Sequence, residues 1–245
     1  MGEQGSTAQA WALHIQGLTK SFGNYLALRG IDLEVGSGES VVIFGPNGAG
    51  KTTLIKVLAT ILNPSSGRVV VNGLNLKNHA EEIRRMIGVV AHQTFLYSNL
   101  TAYENLEFYS RMYDVPRHKE RIHELVTMVG MTSRLHDRVD TLSRGMQQRL
   151  SIARSLLHKP AIMLLDEPET GLDQQATSML WQVLQTDGEE KRTIILTTHN
   201  LEQGFELGDR LLVLDRGKIV YEGSRQFLDL AGLKEAYQHS TRAKV

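Results

Sequence analysis

Hydrophobic and polar positions follow two different patterns along the chain, and these patterns predict two kinds of strand. In residues 11–35 apolar residues recur at every second position with glycine and asparagine between the runs, which is typical of antiparallel strands with one buried face. Residues 40–44 are almost continuously apolar, as in a parallel strand buried on both faces. A helix is predicted at 52–62, before Asn63-Pro64. The order strand, loop, helix predicts a βα unit.

The rest of the chain continues this α/β pattern and then interrupts it. Further strands are predicted at 68–71, 87–91, 161–165, 193–198 and 211–215, and the last forms a hairpin with 219–221 across Arg216-Gly217-Lys218. Between about 94 and 158 the pattern predicts helices, one opened by the Thr101/Glu104 capping box and one capped by Ser143. The predicted fold is therefore an α/β core with a mostly parallel sheet, an N-terminal antiparallel β layer and an inserted helical subdomain.

Composition narrows the possible functions. The 245 residues are 41% hydrophobic, and 27 basic residues balance 27 acidic ones. Such a chain can bury a core, and it has no net charge that would attract nucleic acid or an anionic membrane. Cysteine is absent, which excludes disulfides and thiolate metal sites. Every apolar run is far shorter than the roughly 18 residues of a membrane-spanning helix, so we expect that this chain does not cross a membrane by itself.

A glycine-rich loop is the strongest chemical signal. Residues 45–52 read Gly-Pro-Asn-Gly-Ala-Gly-Lys-Thr and fit the phosphate-loop pattern between a buried strand and a helix. Glycines let backbone N–H groups surround a phosphate, and the helix N-terminus adds partial positive charge. We expect Lys51 at the β- and γ-phosphates, the Thr52 hydroxyl on Mg²⁺ and Thr53 on the α-phosphate side. The candidate nucleotide contacts are Gly45, Asn47, Gly48, Gly50, Lys51, Thr52 and Thr53.

Three further polar residues follow predicted strands. Asp166 and Glu167 come directly after 161–165, and His199 follows 193–198, so all three are expected at the carboxyl edge of the sheet, where α/β ligands bind. Asp166 would hold Mg²⁺, Glu167 would accept a proton from the attacking water, and His199 would hydrogen-bond the γ-phosphate. A solvated strand end is the ordinary interpretation of a lone Asp-Glu pair, but the phosphate loop in the same chain favours catalysis.

Taken in order, these motifs resemble those of ABC transporter ATP-binding subunits. The resemblance runs from about 13 to 223 and includes Leu-Ser-Arg-Gly-Met-Gln-Gln-Arg at 142–149 and Gly-Leu-Asp at 171–173. Together with the strand pattern it predicts an ATPase domain at 11–223, with a core at 11–93 and 159–223 and a helical subdomain at about 94–158. A flexible leader at 1–10 and a short helical tail at 224–245 complete the predicted organisation.

The segment at 142–149 resembles the signature of this family, usually Leu-Ser-Gly-Gly-Gln. The resemblance implies that Ser143 and Gly145 contact the γ-phosphate of ATP bound to a partner subunit, and that Asp173 communicates across the dimer. Ser143 and Gly145 match the pattern, whereas Arg144 replaces a glycine and Met146 a glutamine. Arg144 either adds a charge-assisted contact or faces solvent. Because Met146 replaces the glutamine, the side-chain amide that would contact the ribose side of the nucleotide is absent.

Two further roles follow from the resemblance. Phe22 matches the aromatic residue that stacks on adenine, with Tyr25 as the second candidate and an ordinary core phenylalanine as the alternative. Gln93 matches the glutamine that links Mg²⁺ and water to the transport partner. The distance from Gln93 to the following Leu100-Thr101 is one residue shorter than usual, which places His92 at the usual position; we assign the role to Gln93.

The resemblance implies an ATPase that uses ATP and Mg²⁺ and dimerises with a second ATP-binding subunit. It also implies that the protein works with separate transmembrane permease subunits at the cytoplasmic face of the cell membrane. No nucleic-acid partner is expected. Within the family the chain resembles exporter ATPases, most of all those of haem exporters in cytochrome c maturation; exporters of drugs, lipids or polysaccharides are the alternative. A soluble ABC protein of translation or repair is disfavoured by the single phosphate loop and zero net charge. Glu167 and His199 disfavour a regulatory module without turnover.

Overall fold

The computed structural model describes residues 11–170, 172, 174–186 and 191–241. Within them the chain forms two β-sheets flanked by helices. The strands are β1 (Trp11–Phe22), β2 (Tyr25–Gly36), β3 (Ser40–Phe44), β4 (Ser66–Val71), β5 (Leu74–Asn75), β6 (Ile87–Val90), β7 (Ile162–Asp166), β8 (Thr193–Thr197), β9 (Arg210–Asp215) and β10 (Lys218–Ser224). The helices are α1 (Lys51–Leu58), α2 (Ala80–Met86), α3 (Ala102–Met112), α4 (His118–Met128), α5 (Arg144–Leu156), α6 (Gln174–Thr186), α7 (Leu201–Leu207) and α8 (Leu230–Thr241).

The larger sheet is mostly parallel, as the sequence predicts. Its strand order is β10-β9-β3-β8-β7-β6, and only β10 runs antiparallel to its neighbour. The β9–β10 hairpin turns at Arg216 and Gly217, whose φ angles of 44° and 79° suit a tight hairpin turn. Because the other strands are parallel, the loops that follow β3, β7 and β8 emerge at one edge of the sheet.

Alternation along the parallel strands divides the core into two clusters. Val41 and Ile43 of β3 belong to a cluster with α1 and the antiparallel sheet, which has the order β2-β1-β4-β5. Val42 and Phe44 point to the other face and join a cluster with α3, α4 and α5. A strand sends neighbouring side chains to opposite faces, so one continuous apolar run serves both clusters. The parallel sheet therefore lies between an antiparallel β layer and a helical layer.

The helical layer begins with the two caps that the sequence predicts. The Thr101 hydroxyl accepts a hydrogen bond from the Glu104 N–H at 3.1 Å, and the Glu104 carboxylate accepts one from the Thr101 N–H at 2.8 Å. Ser143 Oγ accepts from the Met146 N–H at 3.3 Å and caps α5. The predicted capping box and the Ser143 cap are confirmed.

Helix α1 is shorter than predicted, ending at Leu58 rather than at residue 62. Thr60 adopts a left-handed φ of 59°, and the Ile61 N–H turns back to the Lys56 carbonyl at 2.9 Å, as at a helix C-terminus closed by a left-handed residue. Helices α2, α6 and α7 and strand β5 were not predicted from the sequence. Helix α2 has seven residues, of which only Ile83 is buried, too few for a recognisable helical period.

The other predicted strands differ from the observed ones by at most three residues at an end, the largest difference being at β10, which continues to Ser224. The C-terminal segment contains a 3₁₀ turn at Arg225–Phe227 and helix α8. The predicted leader and residues 242–245 lie outside the described residues, and the domain limits stay predictions. Among the helices that the structure describes, none has both the length and the apolar character needed to span a bilayer.

Candidate functional site

The loop between β3 and α1 is held open by neighbouring strands. Gly45 and Gly50 have φ angles of 158° and 110°, and a Cβ atom would overlap the Leu214 carbonyl oxygen at Gly45 and lie 2.8 Å from the Ala27 carbonyl oxygen at Gly50. Only glycine fits such close approaches. The Gly217 N–H of the β9–β10 hairpin donates to the carbonyl of Ala49, within the loop, at 2.8 Å. The loop is thus preformed around the N-terminus of α1.

Lys51 occupies the centre of this loop. Its side chain is 6% exposed, and Nζ donates hydrogen bonds to the Gly45 carbonyl at 2.7 Å and the Pro46 carbonyl at 3.3 Å. Nζ also lies 3.8 Å from Glu167 Oε1. A phosphate oxygen is a stronger partner for an ammonium group than a neutral carbonyl, so an incoming phosphate can replace these contacts.

Asp166 and Glu167 line the same cavity because the backbone turns sharply after β7. Asp166 is buried and accepts a hydrogen bond from Thr197 Oγ1 at 2.6 Å. Glu167 has a left-handed φ of 48°, while its N–H still donates to the Thr197 carbonyl at 2.9 Å. This conformation costs a non-glycine residue about 1–2 kcal/mol, and such strain clusters at functional sites. It ends the alternation that would send the two carboxylates to opposite faces.

His199 lies beside Glu167 at the end of β8. Its Nδ1 is 3.5 Å from Glu167 Oε2, and its side chain is 66% exposed. The next residue, Asn200, caps α7 by accepting from the Gln203 N–H at 3.1 Å. The helix cap fixes the backbone next to His199, and the imidazole is left facing solvent at the rim of the site.

Lys51, Asp166 and Glu167 line a cavity of about 400 Å³, within the range of small-molecule sites. Its lining consists of Phe22, Tyr25, Ala27, Pro46, Asn47, Gly48, Ala49, Gly50, Lys51, Thr52, Thr53, His92, Asp166 and Glu167. Phe22 and Tyr25, the two candidates for stacking on adenine, both line the cavity. The Tyr25 hydroxyl donates a hydrogen bond to the Gly48 carbonyl at 3.4 Å. Phe22 is 47% exposed, unlike an ordinary core phenylalanine, so its ring is available for stacking.

The donor chemistry at one end of the cavity fits Mg²⁺. Thr52 supplies a hydroxyl and Asp166 a buried carboxylate, and both line the cavity beside the phosphate loop. Mg²⁺ binds oxygen ligands and commonly takes one or two carboxylates together with substrate phosphates. These two residues could therefore hold the ion together with a bound nucleotide.

Besides Gly45 and His199, which are not among the lining residues, four predicted site residues lie away from the cavity lining or outside the description. Gln93 is exposed and does not line the cavity, whereas the neighbouring His92 does. Ser143 and Gly145 lie at the N-terminus of α5, also outside the lining. Asp173 lies outside the described residues. The assigned roles of these four residues remain predictions.

Sequence reasoning missed two residues that support the site. Thr197 holds both the Asp166 side chain and the Glu167 backbone, and Gly217 supports the loop at Ala49. Thr197 ends the strand adjacent to β7, so knowledge of the strand order would have identified it. The Gly217 contact depends on how the hairpin lies against the loop, for which the sequence carries no local signal.

Comparison with known proteins agrees with this geometry. The family described as "ABC transporter" matches residues 28–170. The chain is 38% identical over 205 residues to the ABC transporter ATP-binding protein NatA of Bacillus subtilis (strain 168), covering 82% of this chain and 83% of that protein. It is 38% identical over 215 residues to the Nod factor export ATP-binding protein I of Rhizobium sp. (strain N33), covering 87% and 71%. The dimeric post-hydrolysis structure of the ATP-binding cassette MJ0796 with ADP and Pi matches with a TM-score of 0.80 and 28% identity, covering 88% of this chain and 100% of that chain.

Proposed function

This chain belongs to the ABC transporter family as an ATP-binding protein with ATPase activity, and from that premise we propose that it energises export through separate membrane subunits. The observation that carries the proposal is the convergence of three groups. Lys51 Nζ lies 3.8 Å from Glu167 Oε1, and Asp166 lines the same cavity. Groups suited to phosphate binding, metal ligation and proton acceptance therefore lie together at one edge of the sheet.

In the proposed reaction a water oxygen bonds to the γ-phosphorus as the bond to the bridging oxygen breaks, which yields ADP and phosphate. Glu167 accepts the proton of the attacking water. Lys51 stabilises negative charge on the γ-phosphate, and His199, 3.5 Å from Glu167, hydrogen-bonds the same group. Thr52 and Asp166 would hold Mg²⁺, which would supply neutralisation of phosphate charge. Phe22 stacks on the adenine.

The proposed assembly is a head-to-tail dimer with a second ATP-binding subunit, identical or similar. Ser143 and Gly145 lie at the capped N-terminus of α5, and the partial positive charge of a helix N-terminus suits an anionic phosphate. In this arrangement Ser143 of the partner subunit completes the site around Lys51. Support comes from MJ0796, whose structure is a dimer, and from the position of Ser143 and Gly145 outside the cavity lining of their own chain.

The surface proposed to contact a membrane subunit lies on α3 and the loop before it. Tyr97, Phe108 and Met112 are 47%, 43% and 47% exposed, and the Tyr97 and Phe108 rings meet edge to face at a centroid distance of 5.2 Å. Buried Asn105 clamps the loop by accepting from the Tyr97 N–H at 2.8 Å and donating to its carbonyl at 3.0 Å. A rigid apolar surface of this kind suits a protein partner.

The proposed cargo direction is outward, because one relative named above is a Nod factor export protein. Export of haem stays a prediction from the sequence resemblance, since neither curated relative named above mentions haem. The proposed location is the cytoplasmic face of the cell membrane, through the membrane subunits. We retain the prediction that the chain binds no nucleic acid.

Membrane recruitment tests the transport proposal. The tagged wild-type chain, expressed in its native cells, is expected to fractionate with membranes and to co-purify with a membrane protein. Phe108→Asp should reduce this recovery at least about tenfold, because a charge would replace a buried apolar contact, while ATP hydrolysis by the purified chain should be unchanged. Phe227→Asp is the matched control, since Phe227 is 89% exposed and lies outside this surface. Recovery with ribosomes or DNA, or loss of recruitment only with Phe227→Asp, would contradict the proposal.

A further inference from the structure

A second cavity lies at the opposite edge of the parallel sheet from the nucleotide cavity. Its volume is about 350 Å³, within the range of small-molecule sites. Ser40, the first residue of β3, lines it, whereas the phosphate loop follows Phe44 at the other end of this strand. The rise of a strand places these two residues roughly 13 Å apart. Among the described residues the two cavities share no lining residue, so the second cavity is a separate site.

One part of the lining of this second cavity is apolar. Val42, Leu196 and Leu207 line it together with the partly buried Trp181 of α6. Within the part of the chain that the structure describes, the buried Nε1–H of Trp181 has no hydrogen-bond acceptor. A buried donor without an acceptor is uncommon and costs free energy, so a ligand oxygen that reached this N–H would stabilise it. The apolar lining suits a ligand with an apolar or aromatic body.

The polar part of the lining carries more positive than negative charge. It consists of three cations and two carboxylates, Lys191, Arg192, Arg225, Glu206 and Asp209. One of the carboxylates is already paired, because Asp209 Oδ2 accepts hydrogen bonds from Lys191 Nζ at 2.7 Å and from the Ser40 N–H at 3.0 Å. The charges of two arginines then face that of Glu206, and the remaining balance favours an anion.

The two arginines are held by backbone carbonyls. Arg192 is 8% exposed, and its Nε donates to the Pro160 carbonyl at 3.2 Å. Arg225 Nη1 donates to the Glu206 carbonyl at 2.6 Å, and its guanidinium carbon lies 5.6 Å from the ring centre of Phe205. These contacts fix Arg225 without neutralising its charge. Because a guanidinium group carries five N–H donors, Arg225 keeps donors for an anionic oxygen, which is a stronger partner than a neutral carbonyl.

We propose that this cavity binds a small amphipathic anion, a molecule with an apolar or aromatic body and one carboxylate or sulfonate group. The body packs against Trp181 and the aliphatic lining, and the anionic group pairs with Arg225 and Arg192. Binding here uses neither the phosphate loop nor the carboxylates that follow β7. The inference therefore goes beyond the proposed function and does not rest on it.

Fluorescence titration with the aromatic sulfonate 8-anilinonaphthalene-1-sulfonate (ANS) tests the location of this site. The chain has two tryptophans, and Trp11 does not line this cavity. In Trp11→Phe the remaining tryptophan is Trp181, and bound ANS should quench its emission. In the matched variant Trp181→Phe the emission of Trp11 should change less. Because saturating ADP occupies only the nucleotide cavity, the quenching of Trp181 should persist in its presence.

The charge of Arg225 tests the chemical class of the ligand. Arg225→Gln keeps most of the side-chain length but removes the charge, and it should weaken ANS binding at least about fivefold. Arg225 is exposed, so thermal unfolding of this variant should match the wild type. Arg134→Gln is the control, because it removes an exposed arginine that pairs with Asp137 at 3.0 Å outside this cavity. N-phenyl-1-naphthylamine, which lacks the sulfonate, should bind the wild type more weakly than ANS and should bind Arg225→Gln as it binds the wild type.

Three results would overturn the inference. If ANS does not quench Trp181, or quenches Trp11 equally, the dye does not occupy this cavity. If ADP abolishes the quenching, the dye occupies the nucleotide cavity instead. If Arg225→Gln binds ANS as tightly as Arg134→Gln does, the cavity does not select an anion. A wild-type chain without ATPase activity would refute the proposed function and would leave this inference untouched.

Discussion

The nucleotide cavity and the N-terminus of α5 both face phosphate in the proposed mechanism, but the fold prepares them differently. In the cavity Lys51 and Asp166 are 6% and 5% exposed and are held by hydrogen bonds from their own chain. At α5 the capping Ser143 and the adjacent Arg144 are exposed. The cavity side chains are held in place within a single chain, whereas in the proposed dimer the exposed helix end faces the nucleotide of the partner subunit.

The two regions are also stabilised by different interactions. Backbone pairing aligns β3, β7 and β8 in the sheet. This pairing fixes the positions of the cavity residues at the ends of these strands. The helical layer depends on caps and on polar side chains such as the buried Arg154 and the partly buried His158. We therefore expect changes in the cavity to affect catalysis more than stability, and changes in the helical layer to do the reverse.

The largest expected effect is at Glu167. Glu167→Gln keeps the size of the side chain but removes the proton acceptor, and it should lower ATP hydrolysis about 10²- to 10⁴-fold. ATP binding, measured by equilibrium titration, should be retained because Lys51 and the loop are unchanged. Glu82→Gln, at an exposed glutamate on α2, is the matched control and should hydrolyse ATP at the wild-type rate. Wild-type turnover by Glu167→Gln would remove Glu167 from the catalytic role.

A smaller effect is expected at His158, between α5 and β6. Its ring stacks on Tyr113 at 4.1 Å, and its Nε2 donates to the Ile87 carbonyl at 2.9 Å. Burial lowers the pKa of His158 to about 4, the Arg154 charge adds to this, and the hydrogen bond to Ile87 opposes it. The unfolded chain binds this proton near pH 6.5, so stability should fall as the pH drops from 6.5 towards 4.

The change in unfolding free energy due to His158 should be about 2 kcal/mol between pH 7 and pH 5. Urea unfolding at the two pH values measures it, and His158→Gln should show a weaker pH dependence than the wild type. His239→Gln, at an exposed histidine of α8, should keep the wild-type dependence. Equal pH dependence in His158→Gln and the wild type would refute the assignment.

The smallest effect is expected at the cap of α3. Thr101→Ala removes the hydroxyl that accepts from the Glu104 N–H and should lower the unfolding free energy by about 1 kcal/mol. ATP hydrolysis by the purified chain should stay at the wild-type rate, because the cap lies outside the cavity lining. Thr127→Ala on α4 is the control and should change stability by less than about 0.5 kcal/mol. A large loss of hydrolysis in Thr101→Ala would contradict the separation of the two regions.

The sequence predicted the elements whose local signals are strong. The apolar run of β3, the phosphate loop, the Thr101 cap and the strand that ends at Asp166 were all recognisable, because each depends on neighbouring residues. Helix α2 was missed because a single buried residue gives no period. The early end of α1 was missed because it depends on the left-handed conformation of Thr60.

The cavity was less predictable than the fold where long-range contacts shape it. The support that Thr197 gives to Asp166 requires knowledge of which strands are adjacent. The presence of His92 in the lining, and its contact with Arg144, depends on the path of the loop after β6. Spacing placed His92 at the usual position, whereas the resemblance to the family's glutamine led to the assignment of Gln93. Neither could show which of the two adjacent side chains turns towards the cavity.

In the proposed dimer a complete ATP site needs Lys51 of one chain and Ser143 of the partner subunit. Lys51→Ala and Ser143→Ala variants are each expected to be inactive or nearly so. When the two are unfolded and refolded together at equal amounts, activity should rise to as much as about a quarter of the wild-type rate, because half of the random dimers are mixed and each mixed dimer has one intact site. Activity of the mixture no higher than the average of the two separate variants would contradict the shared site.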